Sequence, residues 1–258
     1  MDEAIAKVAD LIVDRLADQQ VVSSCPTEPT HRADSNRRIL VGIAGAPGSG
    51  KSTLAYPLVD VLNRRLAPAP PEGRRDAVAP PVAVAVGLDG WHHTREALDR
   101  FPDPVEARRR RGAAFTFDAV SYVAFVRSLR SNPVLPAVPY QLFDHAVRDP
   151  MPAPSPILPS HRVVIVEGLY TLLDIGPWRE ATDELDVKVW VECDRKVARE
   201  RLVERHLESG IEPNRRAAEE RVDGSDMING EFVREHLVEP TLRVDSVDDP
   251  AFAQTHRQ

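Results

Sequence analysis

The stretch Ile39-Leu40-Val41-Gly42-Ile43-Ala44-Gly45-Ala46-Pro47-Gly48-Ser49-Gly50-Lys51-Ser52-Thr53 decides the fold. Its first half is a short apolar run that stops at a glycine, the pattern of a strand buried on both faces of a parallel sheet. From Lys51 to Leu66 the pattern turns helical. Between the two, residues 45–52 fit G-x-x-x-x-G-K-[ST], and each residue type there has a physical task. The glycines permit a tight loop whose backbone N–H groups point inward at phosphate oxygens. The helix that follows adds its positive N-terminal end. Lys51 would reach the β- and γ-phosphates, and the Ser52 hydroxyl a Mg²⁺ ion. Gly45, Ala46, Pro47, Gly48, Ser49, Gly50, Lys51, Ser52 and Thr53 are therefore expected to cradle the phosphates of a nucleotide.

Composition agrees with a soluble enzyme-sized chain. With 258 residues and 42% hydrophobic residues it is long enough to bury a proper core. Only Lys7, Lys51, Lys188 and Lys196 are lysines among 33 basic residues, so a lysine heading a glycine-rich loop is not background. The net charge of −7 argues against non-specific binding to nucleic acid or to an anionic membrane. No apolar run approaches the roughly 20 residues that cross a bilayer. Two cysteines, Cys25 and Cys193, cannot form a disulfide framework. The N-terminus lacks a basic start followed by an apolar block, so a cytoplasmic location is expected.

Outward from the loop, the pattern alternates strands and helices. Ile5, Val8, Leu11, Ile12 and Leu16 fall at helical spacing, which predicts an amphipathic helix over residues 3–18 and a linker over 21–37. This segment, 1–37, is set apart from a main domain at 38–258, and its helix is expected to pack on that domain or on a partner subunit, as in a homodimer. Residues 67–81 are proline-rich and read as a loop. Further buried strands are expected at Val82–Leu88, Val163–Glu167 and Asp186–Cys193, and a last one at Leu242–Val244. Helices are expected at Phe117–Leu129, Arg195–Glu208, Arg216–Val222 and Asn229–Leu237. Residues 133–160, dense in proline, read as an irregular excursion. Such alternation implies an α/β fold with a mainly parallel central sheet.

Several short segments follow the loop in a telling order: Gly87-Leu88-Asp89-Gly90-Trp91-His92, Arg108–Gly112 with Phe115-Thr116-Phe117-Asp118, Phe143-Asp144-His145 with Asp149-Pro150, and Val166-Glu167-Gly168-Leu169-Tyr170. An Arg-rich helix, Arg195–His206, comes last. Together they resemble the phosphoribulokinase/uridine kinase/pantothenate kinase family of P-loop kinases, and within it a fungal and bacterial branch of nucleoside/nucleotide kinase-like proteins. The resemblance covers residues 38–250. It implies the three-layer P-loop fold, with helices on both faces of the sheet and a helical lid at about 195–230. It also implies transfer of the γ-phosphoryl of Mg·ATP to a hydroxyl of a small nucleoside-, sugar- or pantothenate-like acceptor.

Residue roles follow from the same resemblance. Asp89, after the second strand, is implied as the general base toward the acceptor hydroxyl or as its positioner. Glu167 ends a buried strand, where a carboxylate in such a fold faces Mg²⁺ or its water shell. Ser52 and Glu167 are thus the expected metal set. His92, His93, Arg95, Arg110, Arg111, Phe115, Phe117, Asp118 and Asp144 lie in stretches that line the acceptor pocket in related kinases. Of these, His92, Arg95, Arg111, Phe115, Phe117 and Asp144 are the expected acceptor contacts. Arg201 and Arg205, at i,i+4 on the lid helix, are the expected phosphate arginines, while Arg195, Arg199 and the interleaved Glu200 and Glu204 read equally as an exposed salt-bridged face. Asp245-Ser246-Val247 lies where relatives contact the adenine. Trp91 stands where relatives more often carry Phe, which implies a differently shaped pocket. Two other readings stay open: an ATPase or nucleotide switch with no small-molecule acceptor, and an inactive nucleotide-binding regulator. No N-K-x-D segment is present, so guanine specificity is not expected.

Overall fold

The structure is a computed structural model that describes residues 1–23, 37–68, 79–130, 136–144 and 146–247. Most of the expected linker at 21–37 and of the loop at 67–81 lies outside the described residues. In chain order the elements are α1 (Asp2–Ser23), β1 (Ile39–Gly45), α2 (Lys51–Leu66), β2 (Ala83–Gly87), α3 (Arg95–Leu98), α4 (Pro104–Arg109), α5 (Ala119–Leu129), β3 (Gln141–Asp144), β4 (Asp149–Pro152), β5 (Val163–Glu167), α6 (Gly176–Asp183), β6 (Val187–Glu192), α7 (Arg195–Glu208), α8 (Arg215–Arg221), α9 (Met227–Glu235) and β7 (Leu242–Asp245). A 3₁₀ turn spans Leu88–Trp91, and a π-helical turn, Val222–Asp226, joins α8 to α9.

Five strands form one parallel sheet in the order β2-β5-β1-β6-β7. β1 is central and every one of its residues is buried, as its unbroken apolar run requires. Successive side chains point to opposite faces and so divide the core in two. Ile39, Val41 and Ile43, with Val163, Ile165, Val187 and Val189, pack against α1 and α2. Leu40 and Ala44, with Val164, Val166 and Trp190, face α5, α6 and an aromatic cluster of Trp91, Phe117, Tyr122, Tyr170 and Trp178. Helices therefore cover both faces, as expected of the P-loop fold.

The amphipathic stripe of α1 is spent inside the chain. Ile5, Val8, Ala9, Ile12 and Leu16 are buried in the same core as Leu54, Leu58 and Leu62 of α2, with Val244 of β7 at its edge. At ~1.5–3 kcal/mol for each fully buried large aliphatic side chain, this contact is a substantial part of the stability.

Some elements differ from expectation. The helix foreseen from Phe117 starts at Ala119, because Asp118 caps it by accepting from the Ser121 N–H at 3.0 Å. The excursion at 133–160 contains an antiparallel hairpin, β3–β4. Its proline-bearing strand β4 (Pro150, Pro152) pairs on one side only, which is where a strand tolerates missing N–H donors. Short helices α3, α4 and α6 are not expected from the sequence; the longest, α6, has 8 residues. Near the N-terminal edge of β1, the buried Arg38 donates to the carbonyls of His161, Leu129 and Leu158.

Candidate active site

The carboxyl ends of β1, β2 and β5 define the site. Register places Glu167 beside both Ile43 of β1 and Gly87 of β2. The chain leaves β1 into the loop 45–50 directly above. Gly48 (φ 76°) and Gly50 (φ 88°) adopt left-handed conformations that side chains disfavour, which lets the loop curl tightly. A Cβ at Gly48 would also meet the Ala198 carbonyl of α7 at 2.6 Å, so the lid helix rests on the loop. Lys51 Nζ donates to the Ala46 carbonyl at 3.1 Å, across the mouth of its own loop.

Two carboxylates and two cations converge there. Ser52 Oγ donates to Glu167 Oε1 at 3.1 Å. Burial pushes the Glu167 carboxyl up to about 7; Lys51 and the Ser52 hydrogen bond oppose the rise, and Asp89 adds to it. Burial lowers the Lys51 ammonium, Glu167 opposes, Arg205 lowers it further, and Asp89 and Asp226 raise it. Lys51 thus lies within the fields of Glu167, Asp89, Asp226 and Arg205. Asp89 sits in the 3₁₀ turn with its side chain 59% exposed to the cleft. Its carbonyl accepts from the His92 N–H at 3.1 Å and faces His92 Nδ1 at 2.9 Å, which fixes the turn.

These groups fit Mg²⁺ and a polyphosphate. Among the described residues, no group of three or more His, Cys, Asp or Glu is arranged to hold a metal. A metal held by the Ser52 hydroxyl and the Glu167 carboxylate would draw its remaining ligands from phosphate and water, the habit of Mg²⁺.

The side of the cleft next to the hairpin is organised by Arg111. It donates to Asp149 Oδ1 at 2.7 Å, to the Arg148 carbonyl at 2.6 Å and to the His93 carbonyl at 2.8 Å, and lies 5.4 Å over the Phe143 ring. Asp149 in turn accepts from the Arg95 N–H at 2.9 Å. Arg111 is thus the tie between the hairpin and the segment after Asp89. Asp144 accepts from the N–H groups of Ala146 and Val147, so its carboxylate closes the hairpin turn. His92 is wedged between Phe117 (3.9 Å between rings) and Phe143 (5.0 Å). Phe117 is buried in the aromatic core, while Phe115 is 50% exposed, and Arg95 is exposed. Trp91 is buried against Phe125 and Tyr122, on the core side of the turn.

On the lid, the four arginines of α7 separate. Arg199 forms a two-pronged ion pair with Asp223 at 2.8 Å, and Arg195 pairs with Glu231 at 3.5 Å. Arg215 of α8 gathers Glu200, Glu204 and Glu219. Arg201 donates instead to the Gly48 carbonyl at 3.1 Å and to Ser246 Oγ at 2.8 Å, bracing the loop against the end of β7. Arg205 is the arginine whose charge reaches Lys51.

One neighbour of the site, Tyr56, was not singled out from the sequence. Tyr56 lies one helical turn beyond Ser52, and its hydroxyl is pushed up to about 12 by burial and by Glu167 and Asp89; the i,i+4 spacing from Ser52 was the available signal. Asp226 ends the π-helical turn and bonds His206 of α7 at 2.8 Å. Asn229, buried on α9, meets Arg110; Asp226 and Asn229 both lie in the stretch Asp226-Met-Ile-Asn229, whose pattern resembles the family's.

A model of the Phosphoribulokinase / Uridine kinase family matches residues 40–209. A Schizosaccharomyces pombe protein that carries a provisional uridine kinase name is 37% identical over 207 residues, 80% of this chain and 82% of its own. Among solved structures, a Silicibacter protein provisionally named a fructose transport system kinase is 29% identical at a TM-score of 0.72, covering 93% of this chain and 98% of that one. YFH7 from Saccharomyces cerevisiae shares the fold at a TM-score of 0.74 and 22% identity, over 94% of this chain and 99% of that one. Because the family match runs from β1 through α7, it takes in the loop, both strand-end carboxylates and the first lid helix: the chain belongs to the phosphoribulokinase/uridine kinase family and is a P-loop kinase.

Proposed function

We propose that the chain transfers the γ-phosphoryl group of Mg·ATP to a hydroxyl of a small nucleoside-, sugar- or pantothenate-like acceptor. The observation that carries this is the convergence of Lys51, Glu167 and Asp89 at the carboxyl ends of three adjacent strands, with Ser52 hydrogen-bonded to Glu167. ATP would supply the phosphoryl group, and Mg²⁺ would neutralise its charge. The backbone N–H groups of the loop, to which Pro47 contributes none, hold the phosphates, and Lys51 offsets charge on the one that moves. Ser52 and Glu167 hold the metal. Asp89, open to the cleft, orients the acceptor hydroxyl and takes its proton as the new O–P bond forms and the bond to ADP breaks. Arg205 adds positive charge from the lid side.

Incubation of the purified protein with Mg·ATP and a panel of nucleosides, sugars and vitamins, followed by mass analysis, tests this. A phosphorylated product that disappears in Asp89→Ala, with ATP binding retained, is the expected result. ADP release at full rate with no acceptor present would overturn it in favour of an ATPase.

A further inference from the structure

Residues 149–159 read Asp-Pro-Met-Pro-Ala-Pro-Ser-Pro-Ile-Leu-Pro, with a proline at every second position from 150 to 156. Along a strand, successive N–H groups point to opposite edges, so prolines two residues apart remove donors from one edge only. The hydrogen bonds show which edge that is. The Ala153 N–H donates to the Tyr140 carbonyl at 3.0 Å and the Ile157 N–H to the Val138 carbonyl at 2.9 Å, both inward to the β3 side. Register sets Pro150 opposite Phe143 and Pro152 opposite Gln141, the pairs that alternate with the bonded ones. An N–H at 150 or 152 would therefore point outward, away from β3. Between Ala153 and Ile157, Pro154-Ser155-Pro156 stand opposite Pro139 alone, a bulge that bends the same edge.

The far edge of this ribbon is covered. β3 lies so close to the 3₁₀ turn Leu88–Trp91 that a Cβ at Gly90 would run into the Gln141 carbonyl. The hairpin also carries apolar surface: Leu142 and Met151 are an exposed cross-strand pair, and Val147 is exposed in the turn. Lysines, a common guard of edge strands, are absent from residues 141–152. An exposed apolar edge with both N–H and C=O groups free is a template for another strand. At its two outward ladder positions β4 offers carbonyls and no donor.

We infer that the outer edge of β4 is closed to strand addition, and that Pro150 and Pro152 close it against a second copy of this chain. Identical edges meet across a two-fold axis, so one row of outward N–H groups would serve both copies at once. The same hairpin holds Phe143 against His92, next to the turn that bears Asp89. Pairing between copies would thus act on a wall of the cleft.

Light scattering on the full chain across a concentration series tests this. Pro150→Val/Pro152→Val restores two outward N–H groups in strand-forming residues. Its mean mass is expected to rise with concentration to about twice that of wild type. Met151→Val adds a β-branched side chain and no outward N–H, and should keep the wild-type mass. Met151→Lys added to the double variant should return it to the wild-type mass, because a charge on the edge opposes pairing. Amide hydrogen exchange gives a second readout: the amides introduced at 150 and 152 should exchange freely in dilute samples and be protected in concentrated ones. A urea midpoint near that of wild type shows that each variant is folded. Pro152→Val alone, at an exposed position, should give a weaker rise of the same kind and serves if the double variant does not fold. Wild-type mass at every concentration in the folded valine variants, an equal rise in Met151→Val, or a rise without protection at the introduced amides overturns the inference and leaves the kinase reading standing.

Discussion

Glu167 carries the clearest pH signature. Its carboxyl titrates near 7 in the folded chain against an ordinary 4.5, because it is buried at the end of β5. Between those values the folded chain holds a proton that the unfolded chain has released, so without metal this group makes stability fall as pH rises through the window. In Glu167→Gln that component should vanish: the variant gains stability relative to wild type from pH 5 to pH 8 in urea titrations without Mg²⁺. A difference that stays constant across the range would refute the argument. Metal affinity should rise with pH through about 7, since the carboxylate must lose its proton to bind. Asp89 differs in being open to the cleft, and Asp89→Asn should lower kcat by ~10²–10⁴ if it takes the acceptor proton, with Mg·ADP affinity unchanged. At this scale much was legible in the sequence. Lys51, Ser52 and Glu167 announce themselves by a loop pattern and a strand end. Arg111, Asp144 and Phe117, expected as acceptor contacts, also hold the hairpin, close its turn and fill the core. Local sequence shows what a side chain offers, and only the fold shows which partner has already taken it.

Hairpin β3–β4 illustrates how elements set the site. Its backbone crosses the turn that bears Asp89 so closely that a Cβ at Gly90 would run into the Gln141 carbonyl. Asp-Gly here is therefore more than a turn signal: the glycine gives the hairpin room to lie against the 3₁₀ turn. Gly90→Ala should cost ~1–3 kcal/mol as an overpacking substitution against rigid backbone. Because the hairpin carries Phe143 against His92, the same variant should raise KM for the acceptor while leaving KM for Mg·ATP near wild type, which steady-state kinetics would show. The five parallel strands were readable because buried strands are short apolar runs between breakers. The hairpin was not, because strands of Gln-Leu-Phe-Asp and Asp-Pro-Met-Pro have neither alternation nor β-branched residues. The lid's ion pairs lie between: their alternating charges and the separation of Arg195 and Arg199 from Arg201 and Arg205 were evident, but the partners, Glu231, Asp223, the Gly48 carbonyl and Ser246, needed the fold.

At the scale of the molecule, the two faces of the sheet have different work. One carries the aromatic core beneath the hairpin; the other is closed by α2 and α1. Ile12, fully buried between α1 and the sheet, tests how far α1 belongs to the core. Ile12→Ala should destabilise the chain by ~2–5 kcal/mol in urea unfolding, and a loss below 1 kcal/mol would mean that α1 is an appendage. No helix of the described residues is long and apolar enough to cross a membrane. The position of α1 also bears on synthesis. Its stripe is covered by α2, β1 and, at the far end of the sequence, β7. More than two hundred residues separate α1 from β7, so a ribosome must make almost the whole sheet before the helix can be sealed in. During that interval the part of the α1 stripe that β7 covers stays open on the nascent chain, and a holding chaperone would be expected to release this protein only once β7 has joined the sheet's edge.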